Sequence, residues 1–344
     1  MIKKVMVLGV VAAGLAMLAL GGGAAAAAVP MPMADEAGLA FLGLGGLVLT
    51  PQNLRTLQQG FNAAFQRGID AVQVTYQRIA MTVSSQTNAE NYGWMKDLPG
   101  MREWVGQRVI HNLESTGASL ENKHWEHTIG VDRNDVDDDR LGLYGLKFSQ
   151  QGEIVARHPD DLVWGLLRKG FDVPGFDGQP FFDADHAGFD RDGQEASWSN
   201  VQAGSGAPWF LMDLTRAYMK PLVFQERKKA EFVYKTRPDD DNVFFDRQLV
   251  FGADARYNAG FGFHQLAFGS RIALNSTNYQ AGRVALAQQF RPDGAPLAVR
   301  ATHLIVGPSN EAAALELLQA ERNAAGATNI FRGTTQLVVS PHLE

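Results

Sequence analysis

The chain has 344 residues, is 45% hydrophobic and 20% charged, and carries a formal net charge of −6 with an isoelectric point near 5.8. That length allows one large or two ordinary domains with real cores, and the acidic balance argues against a protein that grips phosphates, whose footprint is a basic patch or stripe. Cysteine is absent, which excludes a disulfide framework, a thiolate nucleophile and a cysteine-ligated zinc site.

Lys3 and Lys4 precede an apolar run from Val5 to Leu20 and then a Gly/Ala tract, the order of an export signal. A second apolar run, Ala37 to Leu49, is too short to cross a bilayer comfortably. Residues 1–47 therefore read either as an upstream extension or alternative start, or as an export or anchoring segment. In Pro51 to Ala71, Leu54, Leu57, Phe61, Ala64 and Phe65 fall on one helical face and predict an amphipathic helix, lying on a neighbour or on its own domain. Val72 to Val83 shows no clean alternation and reads as irregular or weakly extended.

From Met101 to Val131 two β-favouring stretches, MREWVGQRVI and HWEHTIGV, flank a polar turn and predict a long hairpin. A two-stranded ribbon is marginal alone, so Trp104 and Trp125 need apolar cover from another surface. Asp135 to Asp139 suits a helix start. Leu141, Tyr144, Phe148, Leu162, Val163, Leu166 and Leu167 then keep helical spacing, with Pro159 opening a second piece and Gly170 ending it. The leucines and Val163 should be buried.

Phe171 to Gly206 is rich in Gly and Asp and reads as a long loop. Strand-like runs recur at Trp209–Met212, Pro221–Phe224, Glu231–Tyr234, Val243–Phe245 and Leu249–Phe251. A helix near Asn278–Phe290, the strand ATHLIVG, a helix begun by Ser309 and the strand TTQLVVSP complete the chain. Helices and strands mix without βαβ alternation, which predicts an α+β fold.

Catalytic and ligand-binding motifs are weak. Asp183, Asp185, His186, Asp190 and Asp192 resemble a calcium loop, but that register puts Ala187 at the third ligand position and Gln194 at the twelfth, so the reading is a solvated acidic loop. On a strand, His124 and Glu126 point to one face and His127 to the other, away from a common metal. Gly204-Ser205-Gly206 is a flexible turn rather than a nucleophile elbow, and no phosphate loop or dinucleotide fingerprint is present. No catalytic residue, metal or cofactor is expected. The basic run at Arg227, Lys228 and Lys229, followed by the acidic Pro238 to Asn242, reads as a solvated strand edge and turn, or as electrostatic complementarity between subunits. The rival reading is a secreted or membrane-tethered hydrolase, resting on the export-like start and the Asp/His loop, or a periplasmic binding module.

Two long segments, YGWMKDLPGMREWVGQRVI…GLLRKGF from Tyr92 to Phe171 and PWFLMDLTRAYMKPLVFQERKK…GFHQLAFG from Pro208 to Gly269, resemble the major head subunit of Mu-like tailed bacteriophages. The likeness runs over roughly Leu49 to Leu343 and implies the Hong Kong 97-like capsid fold and no enzymatic activity. It implies an N-terminal arm (48–97), an extended loop (98–128), a peripheral domain with a long spine helix (129–200) and a mostly axial region with returning peripheral strands (201–344). By the same likeness the subunit forms hexamers and pentamers of a shell around double-stranded DNA, built in the host cytoplasm with scaffold, portal and head-completion proteins, and membrane association is not implied. Interface candidates are Trp104, Asn112, Glu114, Glu121, Lys123, Trp125, Arg227, Lys228 and Lys229.

Overall fold

The computed structural model describes residues 50–92, 119–137, 141–216, 218–323 and 325–344. The first elements are helix α1 (Pro51–Asp70), strand β1 (Ala80–Ser84) and the short strands β2 (Ala89–Asn91) and β3 (Ser119–Glu121). Strand β4 (Lys123–Asp132), the short helix α2 (Arg133–Asp137) and the long helix α3 (Leu141–Arg168) follow. Next come β5 (His186–Phe189), β6 (Glu195–Trp198), β7 (Val201–Gln202), β8 (Trp209–Met212) and β9 (Leu222–Lys235). The last part holds α4 (Asp241–Phe244), β10 (Gln248–Phe261), β11 (Ala267–Ser270), α5 (Ser276–Ala287), β12 (His303–Val306), α6 (Glu311–Gln319) and β13 (Gln336–Val339).

Two sheets organise these elements into an α+β architecture. A four-stranded sheet has the order β1-β9-β10-β4, and a five-stranded sheet has the order β13-β12-β8-β11-β7. Strands β9 and β10 form a long antiparallel hairpin, with β1 parallel to β9 on one side and β4 antiparallel to β10 on the other. In the second sheet, Phe210 and Met212 of β8 face one hydrophobic cluster while Trp209 and Leu211 face another. Strand β8 is apolar throughout because both of its faces are buried.

The same sandwiching explains the strand missed at 72–83. Ala80 of β1 enters one cluster and Met81 the other, so the polar/apolar alternation that marks a half-buried strand is lost where β1 begins.

Helix α1 forms where Thr50 caps it, its Oγ1 accepting from Asn53 N at 3.2 Å, with Pro51 in the first turn. Its buried stripe is the predicted one, Leu54, Leu57, Phe61, Ala64 and Phe65, extended by Gly68. The helix lies on its own domain, against α3. Phe61 stacks on Phe148 at 4.2 Å and meets Phe251 of β10 edge-on at 5.1 Å. Two glycines make the crossing possible: a Cβ on Gly68 would lie 1.9 Å from Ser149 O, and one on Gly152 would lie 2.1 Å from Phe65 O.

Helix α3 runs for 28 residues through Pro159, which does not open a separate piece. The turn around it is held from outside: the Asp160 carboxylate accepts from Thr75 N at 3.0 Å and Tyr76 N at 2.6 Å, and Trp164 Nε1 donates to Thr75 Oγ1 at 2.9 Å. Val163, Trp164 and Leu167 are fully buried, while Leu162 and Leu166 pack part-buried on the same cluster. Gly170 does not end the helix through a left-handed turn. The helix passes into a 3-10 turn at Lys169–Phe171, and the glycine is needed because a Cβ there would meet the Phe182 ring at 2.8 Å.

Other expectations give way to tertiary context. The long loop from Phe171 to Gly206 contains the β5–β6 hairpin and β7, with Phe181 and Phe182 buried; strands this short show no period. Val243–Phe245 is not a strand but includes helical α4, which closes the β9–β10 hairpin and leaves Phe244 and Phe245 exposed. The runs at Pro221–Phe224 and Glu231–Tyr234 belong to one continuous strand, β9. Ser309 sits in a 3-10 turn before α6 and does not cap that helix. Among the described residues no helix is long and apolar enough to cross a membrane.

Candidate assembly surface

The hairpin predicted for Met101 to Val131 is not the pairing that HWEHTIGV makes. Those residues lie in β4, which pairs with β10 from Asp132↔Gln248 to Lys123↔Tyr257; the partner stretch, 101–110, lies outside the described residues. The strands that flank residues 93–118 are instead β2 and β3, paired from Ala89↔Glu121 to Asn91↔Ser119. The chain thus leaves this segment beside the point where it entered.

A side-chain network fixes that base. The Glu90 carboxylate accepts from Ser85 Oγ at 3.0 Å, Gln86 N at 2.9 Å and Thr87 N at 3.2 Å. Donation from the Gln86 and Thr87 amides and the Ser85 hydroxyl holds the Glu90 carboxyl below its ordinary value. From the β3 side, buried Asn122 donates through Nδ2 to Ser85 Oγ at 2.8 Å and Thr87 O at 3.0 Å. Tyr92 donates to Gln225 Oε1 at 2.7 Å, and Gln225 Nε2 in turn donates to Leu120 O at 3.0 Å. Burial, with the Glu90 charge nearby, pushes the Tyr92 hydroxyl up to about 12. Asn258 Nδ2 reaches Glu121 O at 2.8 Å, and Leu120 fills the space over Gly260. Sequence reasoning found none of Glu90, Asn122, Tyr92 or Gln225 as positioning groups, because their partners are brought together by the sheet rather than by any local motif.

The predicted interface residues divide into four groups. Trp104, Asn112 and Glu114 lie outside the described residues. Glu121 and Lys123 are exposed at the base, on β3 and β4. Trp125 turns inward: its Nε1 donates to Tyr257 O at 2.9 Å and its ring meets His158 edge-on at 4.4 Å, so its apolar cover comes from its own chain. On β9, Arg227 and Lys229 are exposed, whereas Lys228 pairs with Glu231 and Asp254, each at 3.0 Å. Hydrogen bonds donated to Asp254 and Glu231 raise the Lys228 ammonium above its ordinary value. The basic run lies past the end of the β1 pairing, which stops at Ser84↔Glu226, so among the described residues β9 carries Arg227, Lys228 and Lys229 with β10 on one side only, as a strand edge. The acidic Pro238–Asn242 stretch performs turn chemistry, with Asp240 Oδ2 accepting from Arg237 N at 2.8 Å and Asn242 Nδ2 donating to Gln248 O at 2.7 Å.

The acidic loop disperses in three dimensions. Asp185 accepts from Gln179 Nε2 at 3.2 Å, and Asp190 Oδ1 accepts from Asp192 N and Gln194 N, each at 2.9 Å, in the β5–β6 turn. His186 turns away from these acids into the interior, where its Nδ1 lies 2.7 Å from Asp177 Oδ2 and its ring stacks on His264. Asp177 and His264 had no sequence signal linking them to it. On β4, His124 and Glu126 share the exposed face while His127 faces inward, as the strand period requires.

A long helix packed on a sheet, a second sheet between two cores, and a clamped pair of short strands beside them define a tailed-phage major capsid subunit of the Hong Kong 97 type. The family model for the Mu-like prophage major head subunit gpT matches residues 54–343, and the chain belongs to that family. It is 39% identical over 307 residues to the major capsid protein of Escherichia phage Mu, covering 86% of this chain and 100% of that one. It is 35% identical over 284 residues to the Mu-like prophage FluMu major head subunit of Haemophilus influenzae, covering 80% and 92%. Among solved structures, a chain of the procapsid of bacteriophage JBD30 superposes with a TM-score of 0.75 at 36% identity, covering 86% of this chain and 100% of that one. A chain of the JBD30 capsid gives 0.71 at 28% identity, covering 87% and 100%. The subunit is structural rather than enzymatic, and the hydrolase reading finds no support.

Proposed function

We propose that copies of this subunit join as hexamers and pentamers of a closed icosahedral shell around double-stranded DNA, with the segment between β2 and β3 reaching onto a neighbouring copy. The observation that supports this reading is the clamped base: two short strands and a buried polar network hold together the two points between which residues 93–118 run. Heterologous contacts of that kind, repeated around a ring, close into rings and shells by symmetry. The sheet of β1, β9, β10 and β4, with α1 and α3, forms the peripheral domain, and the β8-centred sheet with α5 and α6 forms the axial domain. The projecting loop is then shorter at its C-terminal end than 98–128, since β4 belongs to the sheet. Arg227 and Lys229 supply exposed charge for register between copies. Assembly takes place in the host bacterial cytoplasm with scaffold, portal and head-completion proteins. The family match begins downstream of residues 1–47, which leaves the export-like start outside the shell-forming body.

The test compares the full chain, residues 48–344, and a variant lacking residues 96–116 by light scattering and negative-stain microscopy. The first two should give rings, sheets or closed particles, and the deletion should give a folded but unassembled subunit. Shells of ordinary size and yield from the deletion variant would refute the role given to this segment.

A further inference from the structure

Away from the loop base, four rings from separate parts of the chain form a continuous stack. Phe176 lies on His264 at 5.0 Å and 17°, His264 on His186 at 4.0 Å and 8°, and Trp198 flanks both imidazoles at 5.9 Å. His186 is fully buried and His264 nearly so. Asp177, next to Phe176, reaches in from solvent and places Oδ2 2.7 Å from His186 Nδ1 and 3.7 Å from His264 Nδ1. Asp177 and Phe176 sit at the tip of a tight loop closed by the Pro174↔Pro180 bridge and by Gly175 N donating to Gln179 O at 2.7 Å. The stack is therefore the point where this loop is pinned to the β5–β6 hairpin and to the turn before β11.

The three polar groups are close enough to suggest a cation, since one ligand atom from each lies within 4.8 Å of the others. Ring geometry argues otherwise. An imidazole nitrogen donates to a metal in its own plane, and two rings stacked at 4.0 Å and 8° cannot both aim at one ion. What the arrangement does respond to is a proton. His186 Nε2 and both nitrogens of His264 lack hydrogen-bond partners, so a positive charge on His264 would stand buried beside a second imidazole. The titratable groups meeting the stack are Asp177 from the loop, His186 from β5 and His264 from the 3-10 turn, and only Asp177 favours the cation. Asp185, one residue before His186, is turned to Gln179.

We infer that the Phe176–His264–His186–Trp198 stack is an acid-releasable pin, holding the 172–180 loop against the body at neutral pH and freeing it as His264 takes up a proton. Burial first, and then the neighbouring His186, depress His264 to about 3, whereas with Phe176 lifted off its ring by loop release it is opened to water and moves back toward the ordinary histidine value of about 6.5. The open form therefore binds more protons, and its population rises by up to about tenfold for each pH unit below about 6.5. Phe181 and Phe182, both buried in the core, mark where release stops.

Hydrogen exchange of the full chain, followed by mass spectrometry at pH 7.5 and 5.0 and corrected for intrinsic rates, tests this. Protection of peptides within residues 172–180 should fall by about tenfold or more at pH 5.0, while β8 and β12 stay protected. His264→Phe keeps a ring in the stack but cannot ionise, and should remove the pH response; should that variant not fold, Asp177→Asn should loosen the same loop already at pH 7.5. Equal protection of the wild-type loop at both pH values, or an unchanged response in His264→Phe, would overturn the inference. So would stoichiometric zinc binding that is lost on substituting either histidine, which would make the cluster a metal centre.

Discussion

Gly152→Ala should destabilise the subunit even though alanine is the better helix former. In α3 the substitution gains up to about 1 kcal/mol in intrinsic helix propensity. The new Cβ, however, would sit 2.1 Å from Phe65 O and 2.9 Å from Ile69 N, both backbone atoms of α1. Non-bonded heavy atoms settle at roughly 3.5 Å, so the helices must part by an ångström or more, and no side-chain rotation relieves the clash. Separation also loosens the Phe61–Phe148 contact on the same seam. Overpacking of this kind costs typically ~1–3 kcal/mol, and with backbone on both sides the cost belongs at the upper end, for a net loss of about 1–2 kcal/mol. Gly165→Ala is the control, since a Cβ there meets nothing within 4 Å and should stabilise by about 0.5–1 kcal/mol. Urea unfolding of the unassembled subunit, followed by far-UV circular dichroism, measures both. A Gly152→Ala variant as stable as Gly165→Ala would refute the close helix crossing.

Leu167→Ala, at a fully buried position on α3, should cost about 2–5 kcal/mol in the same unfolding assay, and a cost under 0.5 kcal/mol would show that this face is not core. Replacing Asp183 and Asp185 together by Asn should leave calcium and zinc titrations by calorimetry unchanged, because neither acid meets His186; loss of stoichiometric micromolar binding would reopen the acidic loop as a metal site. Thermal stability should fall as pH drops from about 6.5 toward 4, since unfolded His264 binds a proton that the folded protein excludes, with a slope of up to about 1.4 kcal/mol per pH unit. His264→Phe should flatten that slope, and identical pH profiles for the two proteins would refute it.

Legibility in the sequence followed the physics of each segment. Helix α1 was readable to the residue because one face is buried and one is wet, which prints a 3.6-residue period. The buried face of α3 was readable in part for the same reason: Val163 and Leu167 are core, Leu162 and Leu166 only part-buried, and the fully buried Trp164 was not foreseen. Strand β1 was hidden because both of its faces are buried where it starts, and Val243–Phe245 misled because its β-favouring residues close a turn. The α3 proline carried a strong local signal for a break, which Asp160 and Trp164 override through contacts with Thr75 and Tyr76.

For the assembly surface, local chemistry was the wrong scale. The interface residues proposed from the sequence were chosen for charge and aromaticity, and the structure divides them by that criterion poorly: Trp125 and Lys228 are satisfied within their own chain, while Arg227 and Lys229 remain outward. What holds β2 and β3 together is a set of uncharged or singly charged groups, Asn122, Tyr92, Gln225 and Glu90, whose partners come from β9 and from the turns beside them. Glu90 and Asn122 meet on Ser85; removing Glu90 leaves the Gln86 and Thr87 amides short of an acceptor, and removing Asn122 takes a donor from Thr87 O and Asn88 O.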